Sequence, residues 1–216
     1  MKKIIALLLV VAMGVGCMAC GNSNNNNSQV PSETEKNTNT ENSQTPGDSE
    51  TESDTEATLQ ITDANEILQK VWAKYADNEK FAAVGGHFSK YTDGGPAKYD
   101  ISHVADIEAV FCIPAEAVAM LDEAASLQHG MNVNNFSAMA CHIKEGADIQ
   151  VIINGIKNMT LNNQWLCGHP DRLIIVTIGD EYLVTAFGDG QIIDNFQNKL
   201  MSIYDNAPEL VVDEDL

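Results

Sequence analysis

Basic residues are the scarcest class in the chain: 12 Lys and Arg stand against 31 Asp and Glu, for a formal charge of −19 over 216 residues. Affinity for phosphate backbones rests on clustered Lys and Arg, so this deficit excludes sequence-general nucleic-acid binding. Cysteine is sparse as well, at five residues, which excludes a short disulfide scaffold. No apolar run reaches the ~20 residues that a membrane-spanning helix needs, and no internal repeat is visible. In the stretch 58–216 there is no G-x-S-x-G, S-x-x-K, H-E-x-x-H or C-x-x-C, so no reaction class is written in a motif.

What is present begins at the N-terminus. Lys2 and Lys3 form a positive start, and Ile4 to Val15 is an apolar run too short to span a bilayer, the pattern of an export signal. The run Val15-Gly16-Cys17-Met18-Ala19-Cys20-Gly21-Asn22 then resembles the lipobox of bacterial lipoproteins, in which a small residue precedes the cysteine that is diacylated. Ala19 before Cys20 and Gly21-Asn22-Ser23 after it favour Cys20, with Cys17 as the alternative. That resemblance implies a signal peptide over 1–19 and a lipid-anchored protein on the extracytoplasmic face of the membrane.

Residues 20–57 hold the lipidated cysteine and a polar tract with the Asn24–Asn27 run. Between 21 and 57 it carries eight acids (Glu33, Glu35, Glu41, Asp48, Glu50, Glu52, Asp54, Glu56) against Lys36 alone. Such a segment buries too little apolar surface to offset its chain entropy and reads as a self-repelling tether. From Thr58 periodic apolar residues appear, and 58–216 is long enough for one domain. It carries the other 23 acids and nine bases.

Within it, Asp63 and Glu66 have capping-box spacing and predict a helix to Tyr75 with Ile67, Leu68, Val71 and Trp72 on one face. Phe81 to Val84 reads as a short strand before a glycine-rich loop. Gly85-Gly86-His87 lacks the Lys and following helix of a phosphate-binding loop. Ile107–Ile113 reads as a strand, Pro114 to Gln128 as a helix, 136–143 as a strand and 149–161 as a helix capped by Asp148. Leu173–Ile178 and Tyr182–Phe187 read as a hairpin around Gly179-Asp180-Glu181, Gln191–Tyr204 as a helix, and the acidic tail 208–216 as frayed. This order predicts an α+β fold: a two-layer sandwich with a mostly antiparallel sheet of about four strands and helices on one face.

Five histidines and three domain cysteines are the available chemistry. Cys167, His169 and His129 compose the one metal set that spacing permits, and Cys167 with His169 or His129 and Asn132 the one thiol-catalytic set. Neither has motif spacing, so no catalytic residue, metal ligand or cofactor is assigned. Strand parity puts Cys112 half-exposed beside Glu108 and Val110 and Cys141 inside, which predicts that Cys112, Cys141 and Cys167 stay free thiols.

Two connectors mix bulky apolar groups with amides and imidazoles, the composition of a binding patch: His129, Met131, Asn132 and Phe136 in one, Trp165, Cys167 and His169 in the other. The expected role is a non-enzymatic ligand-binding or protein-interaction domain, and the alternative is a small envelope enzyme, hydrolytic or thiol-dependent. The layout as a whole resembles small lipoproteins of Gram-positive bacteria, some of them domains of unknown function. That resemblance carries no activity. The expected partners are the membrane, through the lipid anchor alone, and a small molecule or envelope protein.

Overall fold

The computed structural model describes residues 60–216; the signal segment, Cys17, Cys20 and the tether lie outside the described residues. Helix α1 (Ala64–Ala73) begins where the capping residues predict, with Asp63 extended and its carboxylate accepting from the Glu66 N–H at 2.8 Å. Glu66 reaches back to accept from the Thr62 N–H at 2.8 Å, pairs with Lys70 at 2.7 Å, and accepts from the Tyr204 hydroxyl at 3.0 Å. Chiefly through Lys70 and Thr62, these contacts pull its carboxyl from an ordinary 4.5 to about 2. The folded form therefore gains stability above pH ~4.5 and loses it as pH falls toward ~2, by about 1–2 kcal/mol after solvent screening is discounted. Thermal unfolding of Glu66→Gln against the parent is expected to show a gap at pH 7 that closes over that window; a gap independent of pH would refute the assignment.

The remaining elements are β1 (Ala83–Gly85), a 3-10 turn (Phe88–Lys90), β2 (Thr92–Asp93), β3 (Ala97–Tyr99), α2 (Val104–Phe111), α3 (Ala115–Val118), β4 (Leu121–His129), β5 (Phe136–Ile143), α4 (Ile149–Leu161), β6 (Arg172–Ile178), β7 (Tyr182–Gly188), α5 (Gly190–Leu200) and β8 (Pro208–Asp215). The fold is α+β, with one open antiparallel sheet of eight strands in the order β2-β1-β4-β5-β7-β6-β8. Strand β3 lies beside β1 along the same edge of β4, pairing Tyr99 with Ala124 where β1 pairs Val84 with Gln128. The expectation of about four strands is corrected to eight.

The two-layer expectation also fails. On β5, Phe136, Ala138 and Ala140 pack with α1 and α5, while the alternate residues Met139, Cys141 and Ile143 pack with α2, α3 and α4. Helices therefore cover both faces. Strands β6 and β7 are buried on both sides, which is why they read as near-continuous apolar runs instead of alternating ones.

Residues 104–128 depart furthest from expectation. The predicted strand 107–113 is helix α2, whose buried Ile107 and Phe111 are four residues apart, and Cys112 ends it in the left-handed conformation at φ 55°. The predicted helix from Pro114 shrinks to the single turn α3, and 121–129 is strand β4, buried between both helical layers. Its alanines fit a strand crowded on both sides, and that packing outweighs their helix propensity. The tail is strand β8, held by a bidentate Arg172–Asp213 pair at 2.6 and 2.7 Å and by a Lys157–Glu214 pair. Its acids point outward along a sheet edge, where charge discourages pairing with another chain.

Candidate ligand pocket and histidine cluster

Where β1 and β2 begin the sheet, the α2 side is not fully roofed. Val84, Asp93, Tyr99 and Gln128, which registry places on one face, line a cavity of about 450 Å³. Val110 of α2 bounds it on one side, Phe88 and Tyr91 of the 3-10 segment on another, and Met131 and Val133 of the β4–β5 connector on a third. Met131 is 85% exposed and Phe88 71%, so the rim is apolar and open to solvent.

The local backbone explains how the segment 85–91 takes up this position. A Cβ on Gly85 would lie 2.3 Å from the Ala97 nitrogen, so only glycine permits the approach of the 94–97 loop. Gly86 turns the chain at φ +85°, its N–H donating to Ser126 Oγ at 2.9 Å. His87 is thereby turned inward and buried. It caps the 3-10 turn, its Nδ1 lying 3.3 Å from the Ser89 nitrogen and 2.7 Å from Ser89 Oγ, while Nε2 lies 2.9 Å from Asp106 Oδ2 on α2.

Three residues from Asp106, the His103 imidazole stacks on that of His87 at 3.8 Å and 5°, with its Nδ1 3.8 Å from the same carboxylate oxygen. The His87 ring also meets Phe88 at 4.1 Å and the edge of Tyr99 at 5.6 Å, which places the cluster against the pocket wall. Burial pushes the Tyr99 hydroxyl up to about 12, with the Asp106 charge adding. Nearby Asp100 is held below the ordinary carboxylate range, first by its hydrogen bonds from Ser102 and then by the His103 and His87 rings.

The two connectors singled out by composition do meet. Asn132 Nδ2 donates to the Cys167 carbonyl at 3.4 Å and Asn134 Nδ2 to that of Gly168 at 2.9 Å. Their residues then part company. Met131 lines the pocket. His129 stacks on Phe81 at 5.4 Å and accepts at Nδ1 from the Met131 N–H at 3.3 Å. Phe136 is fully buried between Phe81 and Phe196, at 5.2 and 5.0 Å, which removes it from any surface patch. Trp165 is half-buried on Phe187 at 5.0 Å.

His169 Nδ1 pairs with the Pro170 carbonyl at 2.8 Å, and no hydrogen bond among the described residues joins exposed Cys167 to a histidine. All three domain cysteines are unbridged. The parity argument for that outcome was wrong at Cys112, which sits buried at a helix end in the same core layer as Cys141. Burial pushes the Cys112 and Cys141 thiols up to about 11 and about 12, so neither is a thiolate nucleophile at neutral pH.

Sequence reasoning missed the cluster of His87, His103 and Asp106 because His87 stands 16 residues from the H-x-x-D pair on α2, a separation that belongs to no ligand motif. Comparisons with models of protein families, with curated proteins and with solved structures find no match for this chain. No helix among the described residues is long and apolar enough to cross a membrane.

Proposed function

We propose that residues 58–216 are the ligand-binding domain of a lipid-anchored lipoprotein on the extracytoplasmic face of a membrane, and that the ligand is a small, mainly apolar molecule. One observation carries the binding role. Of the eight large apolar side chains left exposed among the described residues, four (Phe88, Tyr91, Met131, Val133) surround one cavity of about 450 Å³. Leaving such surface in water forgoes about 25 cal/mol per Å², and its concentration around a concave site of ligand size marks a place of contact. Asp93 and Gln128 supply polar groups to orient a bound molecule.

A neutral fluorescent probe such as N-phenylnaphthylamine is expected to bind once per chain. Met131→Asp and Tyr91→Asp should weaken it at least tenfold without moving the thermal midpoint, since a desolvated charge opposes apolar binding and both positions are exposed. Unchanged affinity in both variants would remove the pocket from the reading.

The anchor rests on Lys2, Lys3, the Ile4–Val15 run and Ala19-Cys20-Gly21. Metabolic labelling with a fatty acid should disappear in Cys20→Ser, whereas loss only in Cys17→Ser would move the lipid to Cys17.

A second reading, a small hydrolase, is favoured by the line of contacts Ser89 Oγ, His87 Nδ1, His87 Nε2 and Asp106 Oδ2, at 2.7 and 2.9 Å. With Nδ1 accepting from Ser89 and Nε2–H donating to Asp106, this orders a hydroxyl, a base and an orienting carboxylate beside the pocket. Loss of simple ester hydrolysis in Ser89→Ala would decide for it. The thiol-dependent form has no such support, because no cysteine among the described residues is paired with a base.

A further inference from the structure

We propose that His87, His103 and Asp106 bind one divalent transition-metal ion of the zinc type at the edge of the pocket. One donor atom from each lies within 4.8 Å of the others. Zinc bonds to imidazole nitrogen and carboxylate oxygen are ~2.0–2.2 Å long, so two donors of one ion stand roughly 3.0–3.5 Å apart. The His87 Nε2 to Asp106 Oδ2 distance of 2.9 Å is already close to that span, and His103 Nδ1 at 3.8 Å from the same oxygen needs only a small inward movement.

The two elements that supply the donors are separately held. His103 immediately precedes α2 and Asp106 lies in its first turn, and His87 is positioned by Gly85, Gly86 and the 3-10 turn. Ser89 Oγ, 2.7 Å from His87 Nδ1, is the outer partner that a metal-bound imidazole requires: an ion on Nε2 places the ring proton on Nδ1, which then donates to Ser89 Oγ and gives up the cap it otherwise accepts from the Ser89 N–H. This is the opposite tautomer from the hydrolytic reading, so the ion and an activated Ser89 exclude one another.

Two features oppose the site. The imidazoles are stacked within 5° of parallel, so their in-plane lone pairs do not converge. His103, with a side chain 40% exposed, can turn about its Cβ–Cγ bond to close on an ion, whereas His87 at 8% is fixed. The amino end of α2 carries a partial positive charge that disfavours a cation. The Asp106 carboxylate itself, nearby Asp100 and the acid excess of the domain offset it. Two imidazoles with one carboxylate select zinc-like ions over calcium or magnesium, which take oxygen donors. Three protein donors leave a coordination position open, next to the Phe88 and Tyr99 walls of the pocket.

The test is calorimetric titration of the full chain, freed of metal with chelator, using Zn²⁺ alone. One ion per chain should be lost in His103→Ala and weakened at least tenfold in Asp106→Asn, with about tenfold weakening in Ser89→Ala. The visible absorption of bound Co²⁺ should vanish in His103→Ala. Comparison between variants cancels any ion held elsewhere. His103 is half-exposed, so its variant should keep the parent's thermal midpoint and decides the matter if Asp106→Asn fails to fold. Equal Zn²⁺ binding by parent and His103→Ala, or none by the parent, would overturn the proposal and leave His87–Asp106 as a brace between the 86–91 segment and α2.

Discussion

Phe136→Ala is expected to lower the free energy of unfolding by about 3–5 kcal/mol, the range for deleting a fully enclosed aromatic ring. Phe136 opens β5 between β4 and β7, is fully buried, and belongs to the core layer that α1 and α5 cover. Its ring meets Phe81 at 5.2 Å and Phe196 at 5.0 Å, and it pairs in register with Gly188, whose missing Cβ would stand 2.8 Å from its Cα. No side chain on β4 or β7 can move into the gap without leaving its own register, so the cavity persists. Met131→Ala, five residues away and 85% exposed, should stay within about 0.5 kcal/mol of the parent. Chemical denaturation with an unchanged slope measures both. A Phe136→Ala cost under about 1 kcal/mol would return that residue to the surface, where composition alone had placed it.

The second large effect belongs to Gly85→Ala, expected to cost about 2–3 kcal/mol and to weaken probe binding in the pocket together with Zn²⁺ binding. The added Cβ would meet the Ala97 nitrogen at 2.3 Å, the Pro96 carbonyl carbon at 2.5 Å and the Gly95 oxygen at 2.6 Å. These are backbone atoms, which cannot rotate aside as the end of a side chain does. The 94–97 loop and β3 must shift, and with them Tyr99 and the seat of His87. Gly94→Ala is the control: its φ of +82° carries a left-handed strain of about 1–2 kcal/mol, but nothing lies within 4 Å of its Cβ. Gly94→Ala should therefore cost stability and leave the pocket intact. Equal loss of probe binding in the two variants would show that strain, and not the close approach, controls the site.

Elements whose signals are local were legible. Helices α1 and α4 start at Asp63 and Asp148, whose carboxylates accept from backbone N–H groups as the capping pattern requires. The hairpin β6–β7 turns at Gly179, at φ +60°, and β5 spans the predicted residues. The 104–128 stretch was misread because Ile107-Glu108-Ala109-Val110-Phe111 satisfies two periods over so short a span, and because alanine in β4 answers to crowding from two layers instead of to propensity. The acidic tail lost its strand signal because a register shift at Val211 breaks its alternation, sending Leu210 to the α1 and α5 side and Val212 to the other, while its acids serve the open edge.

Of the residues composition singled out, Met131 lines the pocket, no residue of the 164–170 connector does, and Phe136 is buried; a buried and a pocket-lining aromatic look alike in one dimension. The His87 cluster was invisible for a stronger reason. Its three side chains come together only because β1 and β3 share one edge of β4, which carries the 86–91 segment across to the first turn of α2.

The sequence by itself determined the acid excess, the export and lipidation pattern as an expectation, the capped helices and the central hairpin. Each depends on charge totals or on residues within a few positions of one another. Only the tertiary structure decided that the sheet has eight strands with helices on both faces, that 121–129 and 208–215 are strands, and which imidazoles face Asp106. Those outcomes turn on contacts between residues far apart in the chain, where burial and strand pairing outweigh the ~1 kcal/mol preferences that local sequence expresses.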